Sequence, residues 1–538
     1  MKKRVFSILI ATMVILVMLL SACTTSSAPE VDSSPAAQVV STEVTVTDQP
    51  AVSESTAAPS ATEQAGQPAN GNPISGTPGA GGQGGGSGGT PPNGTPPAGS
   101  PGAQGGGLGG IPPADGQGGG QPGGGSSSSN DTLASTASGA YVVDGTTASQ
   151  SGQTYNATGN DESAVYVKNG GVLTLTNSTL SSSGNTSSQD NSSFHGLNAV
   201  VLAAAGSTIK LSDSAIRSTG SGANGAFSTG SGSNVSLSNV TIDAAADGAH
   251  GVMATNGGVM TLTNVDMNTS GGSSSAIATD RGGGTIDVTG GTVVTSGQNS
   301  AGIYSTGAIT VTDGTFTSKG AEVAVIEGGN SITLTNSSLT TTKDGKWGVM
   351  IYQSMSGDAE GTKGTFTMTG GTLADTAATG PLFYVTNSTG IITLKGVNVT
   401  AASGTLLNAS AGSWGNAGSN GGTVVFTADA QTLSGNFTAD SVSTLSIELK
   451  NGATLSGAIN ADKTAKSVAL TLDAASTWNV TADSTLTSLT GASGISATAA
   501  ITHIIGNGHT VTYDSSACPS LGGKTYNLSG GGVLKPAG

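Results

Sequence analysis

Between residues 172 and 399, apolar and polar positions alternate in nine copies of one short unit. The unit is apolar-Thr-apolar-Thr, then Asn, Gly or Asp, two further residues and another apolar residue. The first copy reads Leu173-Thr-Leu-Thr-Asn-Ser-Thr-Leu180, and later copies occupy 209–216, 235–242, 260–267, 286–293, 309–316, 332–339, 366–373 and 392–399. The central apolar residues are Leu175, Leu211, Leu237, Leu262, Val288, Val311, Leu334, Met368 and Leu394, at spacings of 36, 26, 25, 26, 23, 23, 34 and 26. Alternation of period two predicts a strand with one buried face, and the Asn, Gly or Asp marks a corner. Such a unit cannot bury its own apolar side, so successive coils must stack around a shared interior. The expectation is an all-β chain forming a parallel β-helix, right-handed by the general preference of parallel crossovers.

Coil length narrows the solenoid type. Coils of 23 or more residues, varying in length, suit a three-sided turn with loops at its corners better than a strict hexapeptide repeat. Insertions of about ten residues fall in the coils ending at Ile216 and Leu373, and loops projecting from a rigid scaffold are where specificity usually resides. Beyond residue 399 the pattern loosens but persists at 423–427, 444–449, 468–472 and 477–481. The segment 504–538, with Asn507-Gly508 and three consecutive glycines from Gly530, reads as a terminal cap, which a solenoid needs to cover its last strand edges.

The N-terminus has another character. Lys2, Lys3 and Arg4 precede an apolar run at 5–20 and then Leu20-Ser21-Ala22-Cys23, the layout of an export signal. From Thr24 to about Asn130 there is no Phe, Trp, Tyr, Lys or Arg. So few large apolar side chains cannot offset the entropy of ordering, so this stretch is expected to stay disordered. At about 107 residues it would span roughly 50–60 Å as a flexible coil. The expected organisation is therefore a signal peptide at 1–22, a linker at 23–130, the β-helix at 131–503 and the cap at 504–538.

Charge and composition exclude several functions. From Cys23 onward the chain carries 14 basic and 32 acidic residues, with no basic run and no series of stacking aromatics. Nucleic-acid binding is not expected, because phosphate neutralisation would have to supply the affinity. His195, His250, His503 and His509 lack paired metal-ligand spacing, and no Gly-x-Ser-x-Gly elbow occurs between residues 131 and 538. No cofactor is indicated; single Asp and Asn side chains at turns leave calcium open, although the nonapeptide calcium repeat is absent. Cys518 is the only cysteine besides Cys23 and reads as a small apolar filler near the C-terminal end.

The tetrapeptide ending at Cys23 resembles the bacterial lipobox. That resemblance implies a Cys23 that becomes the acylated N-terminus, a membrane anchored through lipid alone, and a bacterial cell-surface location. The stretch 476–489 resembles strand pairs of autotransporter passengers, and residues 140–538 resemble bacterial surface proteins with a pectin-lyase-like β-helix. Families of that fold include polysaccharide lyases and hydrolases, so paired carboxylates are the chemistry to look for. Aligning Ala276-Ile-Ala-Thr-Asp280, Gly302-Ile-Tyr-Ser-Thr306, Val323-Ala-Val-Ile-Glu327 and Val349-Met-Ile-Tyr-Gln353 puts Asp280, Thr306, Glu327 and Gln353 in one row. Asp280 and Glu327 would then lie roughly 9–10 Å apart across two coils, beside Arg281. The plainer reading, that these groups face water or cap turns, outweighs catalysis, because a lone pair of acids lacks a third partner.

The insertion before Leu373 holds the better binding patch: Trp347, Tyr352, Gln353, Asp358 and Glu360, with Lys343, Asp344, Lys346 and Lys363 around them. Sugars stack on aromatic rings and hydrogen-bond to carboxylates and amides; the alternative is that both rings simply pack over the coil edge. Outward Thr-x-Thr pairs also raise an ice-binding reading, against which Lys210, Asp287 and Lys395 interrupt the array. The function expected from these features is non-enzymatic adhesion to a glycan or cell-surface polymer, with a polysaccharide lyase or hydrolase as the alternative.

Overall fold

The computed structural model describes residues 136–491 and 500–538. The signal peptide, Cys23 and the linker lie outside the described residues. The described chain is a parallel β-solenoid of about 16 turns. Each central turn has three faces. One face is a 12-stranded sheet running from Ser138–Asp144 to Asn436–Ala439, one strand per turn. The other two come from the repeated unit itself, as in Val172–Thr176 followed by Thr179–Ser182. Two long strands, Thr208–Ser218 and Asn234–Ala244, run unbroken round the corner between them.

The repeat builds this geometry directly. The residue after each apolar-x-apolar-x run is Asn177, Asp213, Asn239, Asn264, Gly290, Asp313, Asn336, Gly370 or Gly396, and all nine have positive φ. Asn, Asp and Gly are the residue types that enter the left-handed region at least cost, so the sequence sets the corner locally. The central apolar residues then fall into one parallel ladder: Leu175 opposite Leu211, Leu211 opposite Leu237, and so on through Met368 opposite Leu394. All nine are buried. At about 25 cal/mol per Å2 of apolar surface, one such leucine contributes roughly 2 kcal/mol.

The polar partners of this ladder point outward. Thr174, Lys210, Ser236, Thr261, Asp287, Thr310, Thr333, Thr367 and Thr393 share one register row, with Lys210 and Asp287 breaking the hydroxyl array. Toward the C-terminus Trp478 pairs with Ile504, and the stack ends where Tyr526–Ser529 and Val533–Pro536 fold back as an antiparallel pair. Cys518 is buried there as a free thiol that accepts a hydrogen bond from the Leu489 N–H. Among the described residues no helix is long and apolar enough to cross a membrane.

The 12-stranded face breaks the apolar-in, polar-out rule. Its inner side carries Val201, Val252, Ile277, Ile303, Ile326, Ile351 and Val385 in the main core. Its outer side carries a second ladder of Tyr166, Leu202, Phe227, Met253, Ala278, Tyr304, Val325, Met350 and Tyr384. These form two further clusters that meet at Tyr304. An outward apolar ladder needs a cover, and the insertions supply it. The helix Gln189–His195 ends on Gly196, where an added Cβ would come within 2.6 Å of Phe227 and 2.7 Å of Leu202. Its last turn is held by Thr255 Oγ1 and Asn256 Nδ2 donating to the Phe194 carbonyl.

Candidate functional site

The second cover, over the Tyr304 end of the outer ladder, concentrates the chemistry of this molecule. Residues 353–361 form a loop closed by Gln353, whose Nε2 donates to the carbonyls of Ala359 (2.9 Å) and Gly361 (2.7 Å). Residues 411–420 form a second loop, closed by Asn420 Nδ2 donating to the carbonyls of Gly412 and Trp414. Asn387 Nδ2 donates to the Gln353 carbonyl at 2.6 Å and ties the next coil to the first loop. Local amide side chains thus fix both loops where the coil leaves its regular path.

Five aromatic side chains gather between these loops. Trp347 stacks on Tyr384 with ring centroids 4.2 Å apart and planes inclined by 17°. Trp414 leans on Tyr352 at 4.9 Å and 53°. Tyr304 joins them through its hydroxyl, 3.2 Å from that of Tyr352. Both tryptophans are half-buried, while Tyr352 and Tyr384 are buried. Two of the three tryptophans in the chain are here; the third, Trp478, is fully buried, donating from its indole N–H to the Gly457 carbonyl.

Glu327 lies beneath this cluster with only 2% of its surface exposed. Its Oε2 accepts from the hydroxyls of Tyr304 and Tyr352, the latter at 2.8 Å. Its Oε1 accepts from the backbone N–H and the hydroxyl of Ser354. Burial, then the neighbouring carboxylate, pushes the Tyr352 phenol well above its ordinary range; burial, Tyr352, Glu327 and Asp280 do the same to Tyr304. Both phenols therefore remain donors. Every oxygen of Glu327 is engaged in holding aromatic rings and the start of the 353–361 loop.

The register corrects one sequence alignment. Ala324 pairs with Val349, so Glu327 lies opposite Tyr352, and Gln353 falls one residue outside the row. The reason is physical: all four residues of Ala324–Glu327 and of Val349–Tyr352 are buried, half inside and half under the loops. Alternation, the signal that fixes register, is thus erased. Asp280 precedes Glu327 by two coils, as the pairing of Ile277 with Ile303 and Ile303 with Ala324 requires. It accepts from the Arg281 N–H at 2.7 Å.

Arg281 is turned to a structural task. Its guanidinium lies 3.7 Å from the centre of the Phe194 ring and 3.0 Å from Asp358 Oδ1, so it joins the helical cover to the 353–361 loop. Lys346 is likewise committed, to Glu322 at 3.5 Å and Asn299 Oδ1 at 3.3 Å. Burial raises the Glu322 carboxyl, and Lys346 works against that rise. Of the residues expected to bind, Trp347, Tyr352, Gln353 and Asp358 come together in or under the second cover, while Glu360 stands exposed on its loop.

Sequence reasoning missed Tyr304, Tyr384, Trp414 and Ser354. One signal for Trp414 was available: the interval between Leu394 and its register partner on the next coil, Ala428, is a third long coil. Away from this site, a depression of about 250 Å3 on the polar strand face is lined by Thr174, Lys210, Ser236 and Thr261 among others. It holds a single titratable group and no aromatic ring, so the aromatic cluster is the stronger candidate. Among the described residues no three His, Cys, Asp or Glu side chains group to hold a metal ion. No protein-family model, curated protein or solved structure matches this chain.

Proposed function

We propose that this protein is a non-enzymatic surface binding protein that adheres to a glycan or cell-surface polymer through the aromatic cluster over the 12-stranded face. The observation that carries this reading is the pair of half-buried tryptophans, Trp347 and Trp414, each packed against a tyrosine, with Trp414 also held in a loop stapled by Asn420. Preorganised aromatic surface is what sugar recognition uses, because C–H faces of pyranose rings pack on π-systems without an ordering cost at binding. Catalysis has less support. Both oxygens of Glu327 are taken up by tyrosine and serine donors, and Arg281 is paired with Asp358, so neither is poised for proton transfer to a substrate.

The test is retention and turnover on a panel of plant and bacterial polysaccharides. Retention without cleavage, weakened in Trp347→Ala and Trp414→Ala, supports the reading. Depolymerisation lost in Asp280→Asn or Glu327→Gln would replace it with a lyase or hydrolase. The lipobox resemblance adds the location: a protein acylated at Cys23 and held at a bacterial surface by a long linker. Fatty-acid labelling of the wild type and its loss in Cys23→Ala check this; an unlabelled wild type would refute it.

A further inference from the structure

The charges around the aromatic cluster narrow the class of glycan it can take. An acidic polymer such as a uronate requires free cations, preferably arginine, opposite its carboxylates. Arg281 is occupied by Asp358 and Phe194, and Lys346 by Glu322 and Asn299. Lys343 and Lys363 flank the insertion on the surface, next to the exposed Asp344 and Glu360. Across the site Asp280, Glu322, Glu327, Asp344, Asp358 and Glu360 outnumber these four cations, in a chain of net charge −15. A polyanion approaching the cluster meets a field of its own sign.

The ring arrangement carries the second half of the argument. Tyr384 lies opposite Met350, two residues before Tyr352 on the neighbouring strand. The Trp347–Tyr384 and Trp414–Tyr352 pairs are therefore two adjacent stacking platforms rather than one. At the base of the Trp414 loop, Thr386 Oγ1 and Asn420 Oδ1 are buried without hydrogen-bond partners. An added Cβ on Gly412 would come within 2.8 Å of that Thr386 hydroxyl. Both groups are covered by that loop, so they belong to its packing, and the two ring pairs are what this side of the site offers a ligand.

We infer that the site takes an uncharged oligosaccharide of at least two sugar rings, one ring on the Trp347 platform and one on the Trp414 platform, and discriminates against uronates. The inference rests on the glycan-binding reading above and deepens it. Stacking supplies the attraction, and the surplus of carboxylates supplies the discrimination.

The experiment is a titration of the full-length chain followed by intrinsic tryptophan fluorescence, in which the buried Trp478 serves as an internal reference. Probes are hexasaccharides and monosaccharides of the gluco-, manno-, xylo- and N-acetylglucosamine series, set against hexagalacturonate and hexaguluronate at low and high salt. The expected result is that a neutral hexasaccharide binds about tenfold or more tighter than either uronate and than its own monosaccharide. Trp347→Ala and Trp414→Ala should each weaken that binding about tenfold, with Trp347→Phe and Trp414→Phe retaining most of it. Uronate binding equal to or tighter than neutral binding would overturn the inference while leaving the glycan reading in place. Neutral binding indifferent to both tryptophans would overturn the inference and also the placement of glycan binding at this cluster. If no saccharide of either class binds, the glycan reading falls and the inference falls with it.

Discussion

Asp375 is an acid where the solenoid otherwise keeps hydroxyls. It stands in an inward register row with Thr295, Ser318 and Thr341 before it and Ala401 after it. Only 2% of it is exposed. Its Oδ1 accepts from the Ala377 N–H at 3.0 Å, and its Oδ2 has no partner. Burial, reinforced by the nearby Asp344 carboxylate and opposed by the Ala377 N–H, pushes its pKa up from 3.8 to about 6. A carboxyl whose folded pKa exceeds its unfolded one binds more protons when folded. Its stabilising contribution is thus complete below about pH 4 and is lost as the pH rises through about 6. A rise of about two units is worth about 3 kcal/mol in full, of which about 2.5 kcal/mol is lost between pH 4 and 8.

A solenoid opens coil by coil, so this loss should be read locally. Native-state hydrogen exchange, corrected for intrinsic rates, should show protection in Ser338–Thr341, Thr372–Asp375 and Asn398–Ala401 falling roughly 60-fold from pH 4 to 8. Asp375→Thr restores the hydroxyl row and should make protection in these strands insensitive to pH. Persistence of the pH trend in Asp375→Thr, or protection that rises with pH in the wild type, would refute the argument.

Leu262→Asp should open the solenoid around its coil at a cost of about 4 kcal/mol or more, because the new charge lies between Leu237 and Val288 with no partner; a melting curve superimposable on the wild type contradicts the ladder. Lys346→Ala leaves Glu322 buried without its cation and should cost about 3–5 kcal/mol, whereas Lys346→Met with Glu322→Met should recover most of it. Thermal melts of the two variants decide between them, and equal losses would mean that the ion pair is not the cause. His250 is buried, which lowers its pKa to about 4, so its stabilising contribution is present above about pH 6.5 and lost as pH falls through 4. Exchange in the strand Val252–Thr255 should then accelerate in acid, by the equivalent of about 3 kcal/mol, and not in His250→Asn; identical acid profiles would exclude this assignment.

The repeated unit determined most of the fold by itself. Its apolar-x-apolar spacing selects one inward face, and its Asn, Asp or Gly supplies the left-handed corner from local conformational preference alone, so the stacking of Leu175 through Leu394 was legible residue by residue. What tertiary structure decided was the outer side of the 12-stranded face. There Phe227, Met253, Val325 and Met350 are buried from without, so both sides of each strand read as apolar and the alternation that would have fixed register vanishes. That is why the sequence pattern aligns Gln353 with Glu327 although Tyr352 faces it, and why Glu327 reads as an available acid although Tyr304, Tyr352 and Ser354 fill its oxygens. Tyr304, Trp347, Tyr384 and Trp414 lie on different coils, and only stacking in register, with two insertions folded back over the sheet, brings them together. Local preference acts within a few residues, and contacts between coils depend on register and loop paths that no short stretch of sequence encodes.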